Sequence, residues 1–448
     1  MPPSIPLSGD AAAAVEVETA TPAYKNPFLW VPSSYLVMGL IYVTVTSVAN
    51  IMFKNMGMDN AQATKWSSLL GLPYVFKPLW APLLELYKTK KFFVVLMQFV
   101  IAGVLALGAA TLKLPGSTWM LPVAAVLAVT GLLGATQDIG ADGVYVTTLA
   151  SKDQATYLGV QSMCWNMGFL LATSPLVGLS GVLHDRSGSW GTAWMTVMFL
   201  IAGLTFLMAL YHIKMLPPGA KALDAPKNAA DAMRTFGKAF LTFFQKKGIW
   251  RMIAFAFFYR FGLGLLDKMG PLFIIDSRQN GGLGLTNQGL SFVNGVGTAA
   301  FIVASLLGGF FVSRMGLKKS LLILCLCVNI PNATFLILNQ TMTSNITLIT
   351  VVVVIEKFGW GFGAVGHMIY MMQQIAPGPY KTAHYAFATA FMGLCMTFTG
   401  YVSGRIQEVV GYHWFFIIVM IAATPSIIAT LLAPFHQGDT TKRAPAAA

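Results

Sequence analysis

The sequence is poor in charged residues, and this scarcity excludes a water-soluble fold. Only 10% of its 448 residues are Asp, Glu, Lys or Arg, whereas 56% are hydrophobic. A soluble domain carries about 25% charged residues, and one soluble core cannot hold this much apolar surface. The lipid bilayer is therefore the solvent for most of the chain.

Cysteine is also scarce, and the chain does not begin like a secreted protein. We expect neither a disulfide framework nor a metal site, because all four cysteines fall within apolar runs. No basic start is followed by an apolar stretch and a cleavage site, so no signal peptide is predicted. Residues 1–30 are expected to form a disordered cytoplasmic tail. The cysteines are Cys164, Cys325, Cys327 and Cys395.

Acidic residues are outnumbered by basic ones, 16 against 29, which gives a formal net charge of +13. A nucleic-acid partner would need a basic face on a folded domain, with aromatic residues that stack on bases. The basic residues instead lie in short segments between apolar runs, as they do in the cytoplasmic loops of membrane proteins. We therefore expect no nucleic-acid partner and place both termini in the cytoplasm.

Apolar runs recur along the whole chain, and each is long enough to cross the roughly 30 Å of hydrocarbon in a bilayer. This pattern predicts an all-α membrane protein with twelve transmembrane helices, numbered here as spans 1 to 12. The predicted bounds are 34–54, 64–87, 92–113, 119–149, 155–181, 190–213, 249–275, 287–313, 319–339, 346–375, 382–407 and 413–434.

The twelve spans divide into two sets of six. The longest connection has several prolines and an amphipathic stretch near 233–244, so it is predicted to lie along the cytoplasmic membrane surface. The predicted domains are a first six-helix bundle at 31–213, a cytoplasmic linker at 214–248, a second bundle at 249–434 and a cytoplasmic tail at 435–448.

The two halves also repeat short patterns at nearly constant separation. Residues 57–60 (Gly-Met-Asp-Asn) parallel 284–287 (Gly-Leu-Thr-Asn), each placed to cap an even-numbered span, and Ser180-Gly181 parallels Ser403-Gly404. Two six-span halves in the same orientation predict pseudo-twofold symmetry and a transporter with its site between them. No compact His/Asp or Cys/His set lies at a membrane face, so an enzyme is not predicted.

Two segments carry a resemblance to a known family. Residues 309–319 (GFFVSRMGLKK) resemble the Gly, Arg, Gly, basic-pair signature of the major facilitator superfamily, although Ser313 replaces its usual acid. The counterpart at 81–91 (APLLELYKTKK) keeps an acid and the basic cluster but lacks both glycines. With the twelve spans, this resemblance implies the superfamily's fold of two six-helix bundles.

A narrower resemblance comes from 71–82 (GLPYVFKPLWAP) and 135–143 (ATQDIGADG). These segments look like the span 2 and span 4 signatures of the AmpG-like muropeptide and sugar permeases. The resemblance implies proton-driven import through a bacterial inner membrane, with the proton gradient as energy source and no cofactor. We expect a monomer that binds a small-molecule substrate.

Ionisable residues inside a span are costly and therefore mark candidate function. Asp138 and Asp142 share one face of span 4, where two close carboxylates favour reversible protonation near neutral pH. They are the first candidates for proton coupling, and Glu356 on span 10 is the second. The alternative for the Asp pair is that it accepts hydrogen bonds or pairs with basic groups at a gate.

Other polar residues are candidates for substrate binding. Arg260 is placed to grip a carboxylate or phosphate, or instead to neutralise an acid on span 4. Asp267 lies on the same stripe. The alternative to substrate binding is that it forms a structural ion pair with Lys268. Trp360 would stack on a sugar ring or simply pack. Interhelical hydrogen bonding is the alternative for Gln137 and Asn50. The last candidate is Tyr145, which extends the stripe of Asp138 and Asp142.

Four residues are candidates for gating. Three of them, Glu85, Lys77 and Arg314, lie in the resembling segments. His367 aligns with Asp142 in the repeat, and its alternative is a satisfied helix contact. Together these residues predict proton-coupled import of a sugar derivative such as an oligosaccharide, amino sugar or muropeptide-like solute, by alternating access. Export of drugs or metabolites, and uptake of a siderophore or another anionic solute, remain alternatives.

Overall fold

The computed structural model describes residues 26–84, 88–149, 151–219 and 228–436. Regular structure among these residues is entirely helical, and ten of the helices are long and apolar enough to cross a membrane. These ten helices account for spans 1, 3 to 10, and a long element that contains both spans 11 and 12.

Most spans follow the predicted bounds within a few residues. Spans 3, 4, 6 and 8 are single helices at Lys90–Thr111, Met120–Thr148, Trp190–Met215 and Asn287–Met315. Span 7 consists of Ile249–Phe258 and Phe261–Ile275. Span 9 consists of Leu317–Asn329, Ile330–Asn332 and Ala333–Thr341.

Span 2 is interrupted where the sequence predicts one continuous helix. It runs through Asn60–Leu69, Leu72–Phe76, a 3₁₀ turn at Lys77–Leu79 and Ala81–Leu84. Pro73, Pro78 and Pro82 explain the interruptions, because proline lacks the N–H that continues a helix. The predicted cap is confirmed: Asp59 accepts a hydrogen bond from the Gln62 N–H at 2.7 Å.

Spans 11 and 12 meet without a loop. Helical structure extends over Lys381–Ile421 and continues in Ala423–Leu431, but Gly411 has φ 76° and ψ 169°. This left-handed residue, which glycine adopts without a steric penalty, divides the element into two crossings. With span 2, the described residues contain twelve spans, and the predicted all-α fold of two six-helix bundles is confirmed.

The repeat is visible in the backbone. Gly57 and Gly284 precede spans 2 and 8 with φ of 96° and 72°, and Gly188 follows span 5 as Gly411 follows span 11, with φ of 65° and 76°. Thr286 caps span 8 through the Gly289 N–H, as Asp59 caps span 2. Equivalent turns at equivalent positions support two copies of one six-helix unit.

Three spans contain a π-helical turn. Span 1 is Val31–Val43, Thr44–Val48 and Ala49–Asn55, with the π turn in the middle. Span 5 runs through Ser151–Leu171, the π turn Ala172–Leu176 and Val177–Ser187, and span 10 through Ile346–Tyr370 and the π turn Met371–Ile375. Such a turn leaves backbone carbonyls without their usual helical partner, which makes them acceptors for other side chains.

The amphipathic stretch of the linker forms a helix at Ala229–Phe244, called here the linker helix. The Asn228 side chain caps it by accepting a hydrogen bond from the Asp231 N–H at 2.8 Å. Below, the end of the molecule opposite the linker helix is called the outer end.

Candidate functional site

The site centres on an ion pair between spans 2 and 4. Lys77 Nζ lies 3.6 Å from Asp138 Oδ2, and the carboxylate is buried whereas the lysine side chain is 31% exposed. The 3₁₀ turn places Lys77 here, because Pro78 ends the preceding helix. Two residues predicted for separate roles, proton coupling and gating, are therefore in contact.

Asp142 lies one turn beyond Asp138 and has a different partner. Its Oδ1 accepts a hydrogen bond from the Tyr35 hydroxyl of span 1 at 2.9 Å. Tyr145 packs edge-on against Tyr35 with ring centroids 5.8 Å apart, but its own hydroxyl donates to the Gln154 carbonyl at 2.5 Å. Tyr145 therefore fastens span 4 to span 5 and its hydroxyl is already engaged.

Gln137 is fully buried next to Asp138. Neither its amide nitrogen nor its amide oxygen has a hydrogen-bond partner among the described residues. Buried side-chain polar atoms are nearly always hydrogen-bonded in native proteins. A buried donor and acceptor next to Asp138 thus lack partners among the described residues.

Two tyrosines that the sequence analysis did not single out lie near the ion pair. Tyr42 and Tyr74 pack edge to face with ring centroids 4.8 Å apart. Tyr42 lies within electrostatic range of Asp138 in the first half and of Arg260 and Asp267 in the second. This aromatic pair therefore stands between the acid of span 4 and the ionisable residues of span 7.

Arg260 occupies the break in span 7, between its two helical segments. It is half-buried, forms no ion pair within the described part of the chain, and leaves its Nε without a hydrogen bond there. The phenol groups of Tyr42 and Tyr385 lie within its electrostatic range. Its guanidinium can therefore engage a carboxylate or phosphate, the groups that match its planar donors.

Glu356 and Trp360 are both engaged with Lys357. The ammonium of Lys357 lies 3.5 Å from Glu356 Oε2 and 4.3 Å from the centre of the Trp360 ring. Trp360 also packs against Phe301, with ring centroids 5.3 Å apart. The Lys357 ammonium thus covers one face of the Trp360 indole. Asp267 of span 7 lies within electrostatic range of Glu356.

Asn50 joins the two halves. Its Nδ2 donates to the Lys268 carbonyl at 2.9 Å, and its Oδ1 accepts from the Ser67 hydroxyl at 3.2 Å. Lys268 is buried, and its ammonium donates to the Thr46 carbonyl in the π turn of span 1 at 2.8 Å. Lys268 therefore reaches across to the first half, and no Asp267–Lys268 ion pair is formed in the described chain.

Asp276 is the hub of one contact between the halves at the outer end. Its carboxylate lies 3.1 Å from Lys54 Nζ and accepts hydrogen bonds from the Tyr412 hydroxyl at 3.0 Å and Asn60 Nδ2 at 3.3 Å. Asn60 also donates to Gln407 Oε1 at 2.7 Å. This group of five residues is called the Asp276 seam.

Burial alone would raise the pKa of the Asp276 carboxyl. The hydrogen bond from Asn280 and the Lys54 ammonium favour the charged form more strongly, so the pKa lies below its ordinary value.

A second contact between the halves occupies the position related by the repeat. Asn287, equivalent to Asn60, donates to Asn55 Oδ1 at 2.7 Å and to the Ser180 hydroxyl at 2.8 Å. Deeper along the same helices, Ser174 and Ser291 each donate to the other's carbonyl, at 2.8 and 2.7 Å. These five residues are called the Ser180 seam, and the two seams close the outer end.

The four gating candidates are not brought together. Arg314 is exposed with its guanidinium 4.5 Å from the Phe310 ring centre. His367 is buried inside the second half, where its Nε2 bonds the Ala256 carbonyl at 3.1 Å. Glu85 lies outside the described residues. Lys77 alone of the four is in the site described here, and the gating roles remain predictions.

A comparison with family models decides the family. The model of the Major Facilitator Superfamily matches residues 31–400 of the chain. The chain belongs to this superfamily. Superfamily membership and the helical architecture together make it a multi-pass membrane transport protein of the secondary transporter class, as the sequence analysis expected.

Similar curated proteins agree with the AmpG-like resemblance. The anhydromuropeptide permease of Escherichia coli K12 is 24% identical over 394 residues, which cover 86% of this chain and 74% of the permease. The putative transporter AmpG 4 of Rickettsia conorii is 22% identical over 405 residues, covering 88% and 92%. This superfamily member is therefore AmpG-like.

Solved structures with the same fold include other transporters. The nucleoside transporter NupG superposes with a TM-score of 0.64 at 17% identity, over 90% of this chain and 97% of NupG. A D-xylose-proton symporter superposes with a TM-score of 0.67 at 13% identity, covering 92% and 98%. At these identities the likeness concerns the fold.

Proposed function

We propose that this transporter imports a sugar derivative together with protons, and that Asp138 carries the coupling proton. The observation that carries the proposal is the Lys77–Asp138 pair beside the unsatisfied amide of Gln137. A carboxylate this deep in the membrane is favourable when it is ion-paired or protonated, and unfavourable when it is neither. Its protonation state is thus linked to the position of Lys77.

The proposed cycle follows from this linkage. When Asp138 takes up a proton, the ion pair is lost and Lys77, which is partly exposed, becomes free to move with the short 3₁₀ turn of span 2. When Asp138 loses the proton, the pair forms again and span 2 is drawn back to span 4. Asp142, held by Tyr35, and Glu356, held by Lys357, are the further acids available to the cycle.

The chemistry of the site supports a solute with several kinds of polar group. Gln137 offers a donor and an acceptor for a hydroxyl or amide, and Arg260 offers a fork of donors for a carboxylate or phosphate. Sugar hydroxyls, amides and carboxylates occur together in a muropeptide-like solute. The printed name of the Escherichia coli relative, an anhydromuropeptide permease, supports the same class.

The proposal also covers the membrane in which the protein acts and its oligomeric state. We place the protein in a bacterial inner membrane with both termini in the cytoplasm, acting without a cofactor and driven by the proton gradient. We also propose that each monomer carries a complete transport path, since both halves of the site come from one chain.

The test is uptake into proteoliposomes under an imposed pH gradient, with a labelled anhydromuropeptide and a labelled disaccharide as solutes. Wild-type protein should accumulate solute above its external concentration, and Asp138→Asn should lose this accumulation. The variant should still exchange labelled for unlabelled solute, because exchange needs no net proton movement. Asp153→Asn, an exposed acid in the first turn of span 5, is the matched control and should behave as wild type.

Equal accumulation by Asp138→Asn would refute proton coupling through Asp138. Accumulation only when the gradient is reversed would indicate export. Coupled movement of the disaccharide but not of the anhydromuropeptide would retain proton coupling and change the substrate class.

A further inference from the structure

The linker helix presents three different faces along one element. The first face packs against the second half through Phe236, Ala239 and Phe243. Buried Ala232 lies on the same side, since all four residues are spaced by three or four. Phe236 and Phe243 contact the Phe387 ring of span 11, with centroid distances of 5.6 and 5.5 Å. This side is the protein-facing side.

The docking of this helix is fixed by polar contacts as well as by apolar packing. Lys246, just beyond its end, donates to the Ile375 carbonyl and, at 2.7 Å, to the Pro377 carbonyl where span 10 ends. Thr242 lies 3.1 Å from His384 Nε2 of span 11. The linker helix is therefore held at a defined orientation on the second half.

A second face is apolar and is left uncovered by the described protein. Met233, Phe240 and Leu241 have exposed fractions of 49%, 45% and 62%. The ring centroids of Phe240 and Phe244 are 4.8 Å apart, and those of Phe244 and Trp250 are 5.7 Å apart. Trp250 lies where span 7 begins. Because Trp250 is itself 71% exposed, this ridge is continuous with the lipid-facing surface of span 7.

Basic side chains lie beside this apolar ridge of the linker helix. Arg234 and Lys238 are exposed and one turn apart on the third face of the helix, and Lys247 and Arg251 are exposed near Trp250. Asp231 in the first turn is the one acid between residues 229 and 251. Four exposed cations beside an apolar ridge complement a phosphate layer above acyl chains.

We propose that the linker helix and the start of span 7 form a binding surface for anionic phospholipid. The ridge of Met233, Phe240, Leu241, Phe244 and Trp250 lies at the acyl boundary of the leaflet nearest the linker. Arg234, Lys238, Lys247 and Arg251 contact the phosphate groups of its lipids. This surface is separate from the transport site and does not depend on the proposed substrate.

Lipid selectivity of the full chain tests the proposal. Native mass spectrometry of protein titrated with phosphatidylglycerol or phosphatidylcholine should show tighter binding of the anionic lipid. The double variant Arg234→Gln with Lys238→Gln should lower this preference roughly 25-fold, since each of the two cations near a charged leaflet contributes about fivefold. The control pair Lys318→Gln with Lys319→Gln removes equal charge from exposed positions in the first turn of span 9.

The control pair should retain the preference for phosphatidylglycerol. Equal loss in both double variants, or no loss in either, would overturn the proposal. A matching melting temperature for the linker variant and wild type shows that the change is not one of folding.

The position of the ridge has a separate test. A fluorophore on Leu241→Cys should be quenched by phosphatidylglycerol brominated on its acyl chains, whereas one on Thr235→Cys, exposed on another face, should be quenched much less. Both variants are made in a chain whose four native cysteines are replaced by alanine. Equal quenching at the two positions would overturn the assignment of the ridge to lipid.

Discussion

The Lys268 ammonium lies 2.8 Å from the Thr46 carbonyl oxygen, so a buried cation of the second half is bonded to the backbone of the first. Burying an ammonium costs several kcal/mol even after relaxation of the protein. One hydrogen bond from a charged donor returns about 1.5–3 kcal/mol. Lys268 forms no ion pair with a described residue, so its burial makes the closed outer end less stable than an apolar side chain would.

Replacing Lys268 by Met should therefore stabilise the closed outer end. We expect labelling of Ser67→Cys by a membrane-impermeant thiol reagent to slow roughly tenfold, the factor that corresponds to about 1.4 kcal/mol. Transport should slow in parallel and the melting temperature should rise. Lys268→Arg keeps the charge and should label at nearly the wild-type rate. Faster labelling of the Met variant would contradict the argument.

The two seams should respond differently to one added methyl group. A Cβ on Gly404 would lie 2.2 Å from the Asn60 backbone carbonyl oxygen, whereas a Cβ on the equivalent Gly181 would meet the end of the flexible Gln288 side chain. Gly404→Ala should keep the Asp276 seam from closing and lower transport at least tenfold, because overpacking of this kind costs about 1–3 kcal/mol.

Gly181→Ala is the matched control and should retain most of the activity, because Gln288 can turn away. Transport rates of both variants at equal protein density provide the measurement. Similar losses in the two variants would show that backbone crowding at Asn60 is not the deciding factor.

The Asp276 seam should depend on pH in a defined direction. Because the folded pKa of Asp276 lies below its ordinary value of 3.8, the charged carboxylate stabilises the folded protein. This contribution is present above about pH 4 and is lost as the pH falls through the lowered pKa. Asp276→Asn should lower the melting temperature at neutral pH and remove this part of the acid dependence.

Thermal unfolding in detergent between about pH 3 and pH 7 checks the expectation. The difference in melting temperature between wild type and Asp276→Asn should shrink toward the acidic end. A difference that is constant or grows on acidification would mean that the ionised form of Asp276 does not stabilise the fold.

Arg260 should distinguish anionic from neutral solutes. Lysine at this position keeps the charge but not the planar pair of donors, so Arg260→Lys should raise the KM for an anionic substrate about tenfold. Arg260→Gln should raise it further. The KM for a neutral analogue without the carboxylate should change little in either variant, and equal changes for both solutes would argue against an anion-binding role.

The fold was predictable because its signals are local in sequence. Apolar runs identify the spans, and the residues ahead of spans 2 and 8 identify the caps, since a cap depends on a few adjacent residues. The breaks in span 2 also had a visible signal in Pro73, Pro78 and Pro82. The sequence analysis did not predict these breaks, because apolar residues continue through the positions of the three prolines.

The site was predictable only in part. Asp138 and Lys77 were both identified, but their pairing depends on how spans 2 and 4 are rotated against each other. The same rotation decides that Tyr35, Tyr42 and Tyr74 join the site. Asn50, whose amide joins the halves, could not be distinguished in sequence from residues that face a solute.

The glycine junction at Gly411 has a consequence for the shape of the whole molecule. With no loop between them, a movement of span 11 at the outer end must also displace the start of span 12, which carries exposed apolar side chains such as Trp414, Ile421 and Leu431. A rearrangement of the outer end therefore also moves the lipid-facing surface of span 12. We expect such a displacement to change the cross-section that the protein occupies in the bilayer, so that turnover should depend on lateral pressure.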